Sequence, residues 1–244
     1  MTITAAAGLL TAWETGLAQA PAGRALLLHR TARPDLGGDT EALLGLPVGE
    51  READLFALRG ALFGDRMQVR AECGACGQDM EFDLDTAEFA RPPAASRDPL
   101  LRVVQDGWEI EFRPPGVADL TAGARGAPPR PARLAPGGVS AARDGAAVPA
   151  EALPAAVQRR IAEATEAADP GADLTLDIGC PECGTATRAE LDIASYLWTE
   201  LDAWARDLLL DIHLLATAYG WSEPEILALS PLRRHYYLEL CADV

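Results

Sequence analysis

The sequence contains no lysine: all 21 basic residues are arginine, against 37 Asp and Glu, and the formal net charge is −16. That balance argues against general nucleic-acid binding, because the phosphate backbone demands a basic face. It argues equally against an anionic membrane surface. Together with the heavy Ala and Pro content, the missing lysine reads as compositional bias rather than mechanism. Long apolar runs are missing too. The run LLLDIHLLATAYGW carries Asp211 and is too short to span a bilayer. The stretch MTITAAAGLLTAWETG has no basic region and reaches Glu14 before any long apolar run, a poor match to a signal peptide. The expectation is a cytoplasmic protein with no membrane partner.

Catalytic signatures are equally scarce. The three histidines, His29, His213 and His235, sit singly on helical stretches and read as surface or packed side chains. No phosphate-cradling glycine loop, HExxH pair or nucleophile elbow occurs. Carboxylates abound, but spacing singles out no pair of them. The sequence therefore points to no catalytic residue, no small-molecule substrate and no enzyme.

What is present is an ordinary globular composition, 49% hydrophobic and 24% charged over 244 residues, enough for one or two domains. Residues 4–63 read as helices. Leu9, Leu10, Trp13 and Leu17 fall at helical spacing, as do Leu55, Leu58, Leu62 and Phe63 before the stop at Gly64. From residue 66 the period changes to two. Met67, Val69, Ala71 and Cys73 alternate with polar residues, and Met80, Phe82 and Leu84 with acids, which places a hairpin around the first cysteine pair. Leu174, Leu176 and Ile178, followed by TATRAELDI, place a second hairpin around the other pair; GWEIEFR is a further strand candidate.

Between the hairpins, residues 113–149 hold ten Ala, seven Pro and six Gly and carry a charge of +3. This stretch reads as a flexible surface insertion with one short helical turn near 117–123. A helix follows, with Val157, Ile161 and Ala164 as its stripe. Further on, Leu197, Leu201, Trp204, Leu208, Ile212, Leu215 and Tyr219 mark one face of a long helix from Ala194 to Tyr219. Ser222 and Glu225 stand at capping-box spacing, and Ser230 with Pro231 opens a last helix.

The five cysteines give the sharpest signal. Cys73 and Cys76 lie in AECGACGQ, Cys180 and Cys183 in IGCPECGT, and 103 residues separate Cys76 from Cys180. Two residues between the thiols let one turn aim both at one ion, and Gly77 and Gly184 suit the tight backbone that follows. Strands flank both pairs, which predicts one structural Zn2+ held by Cys73, Cys76, Cys180 and Cys183. Two other readings stand beside it. A thiol–disulfide redox protein would use the same pairs, although such a motif belongs between a strand and a helix. A zinc-ribbon nucleic-acid adaptor is opposed by local charge, −3 over residues 66–85 and −4 over 172–192. Cys241 stands alone and reads as a small buried hydrophobe.

These readings divide the chain into an N-terminal helical part (1–65), a first ribbon half (66–112), the insertion (113–149), a helix (150–170), a second ribbon half (171–192) and a C-terminal helical part (193–244). The fold class is α+β, with helical parts around a small β zinc ribbon.

The stretches ALLGLPVGEREADLFALRGALFG, AECGACGQDMEFDLD and GCPECG, and above all LATAYGWSEPEILALSPLRRHYYLEL, resemble the baseplate hub assembly proteins of T-even-type contractile phages and of phage-like contractile injection systems. The resemblance covers most of the chain outside 113–149. It implies a non-enzymatic assembly factor or chaperone whose partners are baseplate or hub proteins, cytoplasmic or built into a tail-like particle. Under that resemblance Trp198, Trp221, Glu223, Arg233, Arg234, Tyr236 and Tyr237 are the expected interface residues, since aromatics and arginine dominate interface energetics. For each aromatic, simple packing between helices is the competing role.

Overall fold

A computed structural model describes residues 6–36, 38–90, 100–119, 140–149 and 152–242. The chain divides into two compact units, residues 1–28 with 194–244, and residues 29–193.

The first unit is helical. It holds α1 (Ala6–Leu17), most of α2 (Pro21–Ala32), α6 (Ile193–Tyr219, from Ala194 on), α7 (Glu223–Leu227) and α8 (Pro231–Ala242). The long α6 buries Leu197, Leu201, Leu208, Ile212 and Leu215, as its sequence stripe predicts, and adds Trp198 and Ala205. Trp204 is only half-buried, and Tyr219 lies at the exposed edge of the stripe. Trp198 fits because position 16 is glycine: a Cβ there would lie 2.3 Å from the indole. The Trp13 indole N–H donates to Asp202 at 2.8 Å and ties α1 to α6. Gly220 ends α6 at φ +68, the left-handed conformation glycine adopts without penalty. The capping box then forms: the Ser222 N–H and hydroxyl both donate to the Glu225 carboxylate, at 2.8 and 2.7 Å.

Among the described residues, the second unit mixes helices with three small antiparallel sheets. After α2 come α3 (Thr40–Leu44) and α4 (Val48–Phe63), then the hairpin β1 (Arg66–Glu72) and β2 (Asp79–Asp85). A four-stranded sheet runs in the order β3 (Leu101–Gln105), β4 (Trp108–Phe112), β5 (Ser140–Arg143) and β6 (Ala146–Ala147). It packs on α5 (Ala155–Ala168), and the two share a core of Val103, Trp108, Ile110, Phe112, Ala141, Leu153, Val157 and Ile161. The hairpin β7 (Thr175–Gly179) and β8 (Ala186–Glu190) closes the unit.

Two boundaries differ from the sequence reading. Residues 140–147 form β5 and β6, so the insertion is drawn too long at its C-terminal end; alanine-rich segments with β-branched residues only at their edges, Val139 and Val148, carry a weak strand signal. Strands β3 and β4 belong to that separate sheet and not to the cysteine hairpin. At the other end of the insertion, Val117 is buried and its N–H donates to the Leu46 carbonyl at 3.1 Å. Residues 117–119 make a helical turn, while 120–139 lie outside the described residues.

Two polar contacts organise this unit. Helix α4 starts after Pro47, which offers no side-chain cap. Instead the buried Asp169, the residue that ends α5, accepts the Gly49 N–H at 2.9 Å. A carboxylate there meets the positive end of the α4 dipole. At the other end of α4, the buried Arg59 donates from Nη1 to the carbonyls of Gly64 and Arg66, each at 2.7 Å. Gly64 takes φ +89, and the guanidinium satisfies the carbonyls of the turn that leads into β1.

Candidate metal centre

Both cysteine pairs sit at hairpin tips of identical construction. In the first, the Cys73 N–H donates to the Gln78 carbonyl at 2.9 Å, and the Gly77 N–H to the Cys73 carbonyl at 2.9 Å. In the second, the Cys180 N–H donates to the Thr185 carbonyl at 3.0 Å, and the Gly184 N–H to the Cys180 carbonyl at 2.9 Å. Gly77 and Gly184 take φ of +73 and +72, which a side chain would oppose. The CxxCG sequence thus folds the same way twice because the glycine permits the same left-handed step.

The second unit brings the two tips together. The ligand atoms of Cys73, Cys76, Cys180 and Cys183 all lie within 4.8 Å of one another. The Cys73 and Cys183 sulfurs are 3.7 Å apart, as are those of Cys76 and Cys180. A tetrahedron with metal–sulfur bonds of about 2.3 Å has edges of about 3.8 Å, so these separations fit a four-thiolate ion. They are far from the roughly 2.05 Å of a disulfide, and all four thiols are free. The four cysteines are positioned to hold a metal ion. Cys73 and Cys180 are buried and pack with Met80 against the half-buried Ala71 and Ile178; Cys76 and Cys183 face solvent.

The electrostatics suit a cation. Backbone N–H groups of Ala75 and Cys76, with the Thr187 hydroxyl, stabilise the Cys73 thiolate and lower its pKa to about 6. The Thr185 hydroxyl and N–H lower that of Cys183. At Cys76 the Gln78 N–H acts in the same direction, but the sulfurs of Cys73 and Cys183 outweigh it and push the thiol up to about 12. Four thiolates this close repel one another, and a dication among them reverses that repulsion. Thr185 and Thr187, absent from the sequence reading, are the additional residues of the site. Their signal was position: they are the second and fourth residues after Cys183, Thr185 just before β8 and Thr187 on it.

The surface of the two cysteine hairpins is acidic but internally paired. Arg66 meets Asp83 at 2.6 Å, Arg70 meets Glu81 at 2.7 Å and Arg188 meets Asp177 at 3.3 Å, all exposed. Apart from the hairpins, the second unit has a cleft of about 300 Å³ lined by Ala53, Phe56, Phe89, Pro170 and Leu174 with the carboxylates of Glu52 and Glu88. Burial raises the Glu52 carboxyl above its ordinary range, against the Arg51 charge that lowers it.

The expected interface residues divide into two groups. Trp198 is buried under the Arg24 guanidinium, 4.7 Å from its ring centroid, and Arg234 is buried against Asp211 at 3.3 Å. Both pack the helical unit, so neither offers a free surface; the room opened by Gly16 is the physical reason for the first. Trp221 and Tyr237 form an aromatic cluster with Tyr219, with centroids 4.6–5.7 Å apart. Glu223, Arg233 and Tyr236 are exposed. Cys241 is half-buried rather than buried. His29 is fully buried with Nε2 3.1 Å from the Asp54 carboxylate, His235 is exposed and 3.2 Å from Glu239, and His213 is exposed. Among the described residues, no helix is long and apolar enough to cross a membrane. Comparison with protein-family models, with curated proteins and with solved structures finds no match.

Proposed function

We propose that the chain is a zinc-stapled structural protein without catalytic activity, and that it serves as an assembly factor or component of a contractile-tail or injection-system baseplate. One observation carries the structural half: two hairpin tips 103 residues apart converge four thiols at tetrahedral spacing. A site of four cysteines has no open position for substrate or water, which is the arrangement of a structural ion rather than a catalytic one. Zinc fits the soft donor set best among common divalent ions. The 3.7 Å sulfur pairs join one tip to the other, whereas redox work needs closure within one CxxC pair. Strands rather than a helix N-terminus flank both pairs, which also disfavours the redox reading. The acidic ribbon disfavours a nucleic-acid adaptor.

The assembly half rests on the resemblance of the segments around the knuckles and, most of all, of residues 215–240. Native mass spectrometry of the protein isolated from its own cell tests both halves. The expected result is one zinc per chain, lost on acidification, with tail or baseplate proteins co-isolated. Zinc without such partners would remove the baseplate role and leave the staple. A metal-free chain lighter by the four hydrogens of two disulfides would overturn the staple.

A further inference from the structure

The two cysteine hairpins correspond position by position. Counted from the cysteines, Ala71 stands where Ile178 does, Gly77 where Gly184 does, Gln78 where Thr185 does and Met80 where Thr187 does. The registers agree, since Ala71 pairs with Met80 in one hairpin and Ile178 with Thr187 in the other. Residues directly opposite in an antiparallel pair share a face of the sheet. On that face Met80 is buried with Cys73 and Cys180, and Ala71 and Ile178 pack against the same cluster. Thr187, opposite Ile178, is half-buried between the exposed Ala186 and Arg188, so its side chain lies on the cluster face as well.

What differs at these equivalent positions is the chemistry. Met80 fills its place with a thioether that packs and donates no hydrogen bond. Thr187 brings a hydroxyl, which donates to the sulfur of Cys73 on the other hairpin. The remaining donors stay within their own tips: the N–H groups of Ala75 and Cys76 serve Cys73, that of Gln78 serves Cys76, and Thr185 serves Cys183. Among these donors Thr187 alone crosses from one tip to the other. The sulfur it reaches is the one that lies 3.7 Å from Cys183, four residues before Thr187 on its own hairpin. Thr187 and Cys183 thus converge on Cys73 from the same side.

We propose that Thr187 is a positioning residue of the metal centre: from outside the ligand set, its hydroxyl holds the Cys73 sulfur of the first hairpin against the second and so raises the affinity of the four thiols for zinc. This rests on the reading of these cysteines as a zinc staple, and it is independent of the assembly role. A donor of this kind fixes the orientation of a ligand and shares its charge, and losing one costs about 10–100-fold in metal affinity. Because the bond spans the two hairpins, it also orders the tips toward each other before an ion binds, which lowers the ordering cost of binding. Methionine at the equivalent position supplies neither effect to Cys180, so the two halves of the centre are alike in backbone and unequal in support.

Competition between the intact chain and a chromophoric chelator for Zn2+ tests it. Thr187→Val keeps the branched shape of threonine and removes the hydroxyl, whereas Thr187→Ser keeps the hydroxyl and removes the methyl. The expected affinity for Zn2+ is lower by about 10–100-fold in Thr187→Val and within about three-fold of the unaltered chain in Thr187→Ser. A role in packing alone gives the opposite order, because valine preserves the apolar contact and serine loses it. At saturating Zn2+ both variants should show the far-UV circular dichroism of the unaltered chain. A valine variant that stays unfolded there has lost structure rather than affinity and overturns the proposal. So does a valine variant that binds Zn2+ as tightly as the unaltered chain, or the reversed order of valine and serine; each leaves the staple standing. An unaltered chain that takes up no Zn2+ removes the staple and this inference together.

Discussion

Gly49→Ala sets two physical effects against each other, and the structure decides between them. Gly49 is the second residue of α4, and alanine in a helix is worth up to about 1 kcal/mol over glycine. Propensity alone therefore predicts a more stable protein. In the fold, however, a Cβ at position 49 would lie 2.0 Å from Asp169 Oδ1 and 3.0 Å from its Cγ. The carboxylate must retreat, and the 2.9 Å bond from the Gly49 N–H is lost with it. A bond to a charged, buried acceptor contributes about 1.5–3 kcal/mol. The balance is a loss of about 1–2 kcal/mol for Gly49→Ala, read as a shift in urea midpoint at unchanged slope. Asp169→Ala alone should cost about 2 kcal/mol. In that background the added methyl meets no carboxylate but still lies 3.1 Å from the Gly171 backbone carbon, so Gly49→Ala should cost less than in the unaltered chain, giving a coupling of about 1 kcal/mol between the sites. If Gly49→Ala raises stability in the unaltered chain, Asp169 does not cap α4 and the reasoning fails.

Three further outcomes follow from the same kind of contact. Arg59→Met leaves the carbonyls of Gly64 and Arg66 without their donor and should cost about 3 kcal/mol, with hydrogen exchange at β1 accelerating before that of the four-stranded sheet. Gly16→Ala drives a methyl into the Trp198 ring and should destabilise the helical unit by about 1–3 kcal/mol with a shift in tryptophan emission; an unshifted spectrum at full stability would contradict the packing. Metal should be retained at neutral pH and released in acid. The sign follows from Cys73, whose folded pKa of about 6 lies below that of a free thiol: its thiolate is secure at high pH and is lost as pH falls through about 6, and a bound cation moves that loss lower still. A chromophoric chelator reports the midpoint, expected below pH 6; release with a midpoint near pH 9 would contradict the site electrostatics.

Local pattern made much of this fold legible. The period-two alternation around each CxxCG located both hairpins, and the stripe from Leu197 to Leu215 located α6, because period and burial are properties of neighbouring residues. What stayed hidden depends on residues far apart in the chain. Asp169 caps a helix through Gly49, 120 residues earlier in the sequence, and nothing around it differs from an ordinary loop aspartate. Trp198 reads from sequence either as an interface residue or as packing between helices, and its burial is decided by a glycine on another helix. Strands β5 and β6 are alanine-rich, so their pairing with β4 comes from the tertiary core that Ala141 joins. The four thiols were legible as a set because cysteine is rare here and its spacing repeats; the hydroxyls of Thr185 and Thr187 were not, because threonine on a strand is ordinary.

The wide separation of the cysteine pairs has an energetic reason. Each hairpin has two strands, a size that is marginal by itself in water. Apolar contact at the tips is slight, since Met80 is the one large buried side chain of the cluster, worth about 1.5–3 kcal/mol. Bringing together segments about 100 residues apart costs roughly 4 kcal/mol of loop-closure entropy, and halving the free loop would save only about 0.6 kcal/mol. Contact at the tips alone therefore does not hold them. The intervening sheet and α5 have a core of their own and gain nothing directly from the ion. A four-thiolate zinc site supplies about 10–16 kcal/mol, well above the closure cost. A metal ion held by the four thiols would act where the hydrophobic effect is too small, at the point where the chain enters β2 and leaves β7. Its removal should free the hairpins from each other while the four-stranded sheet persists.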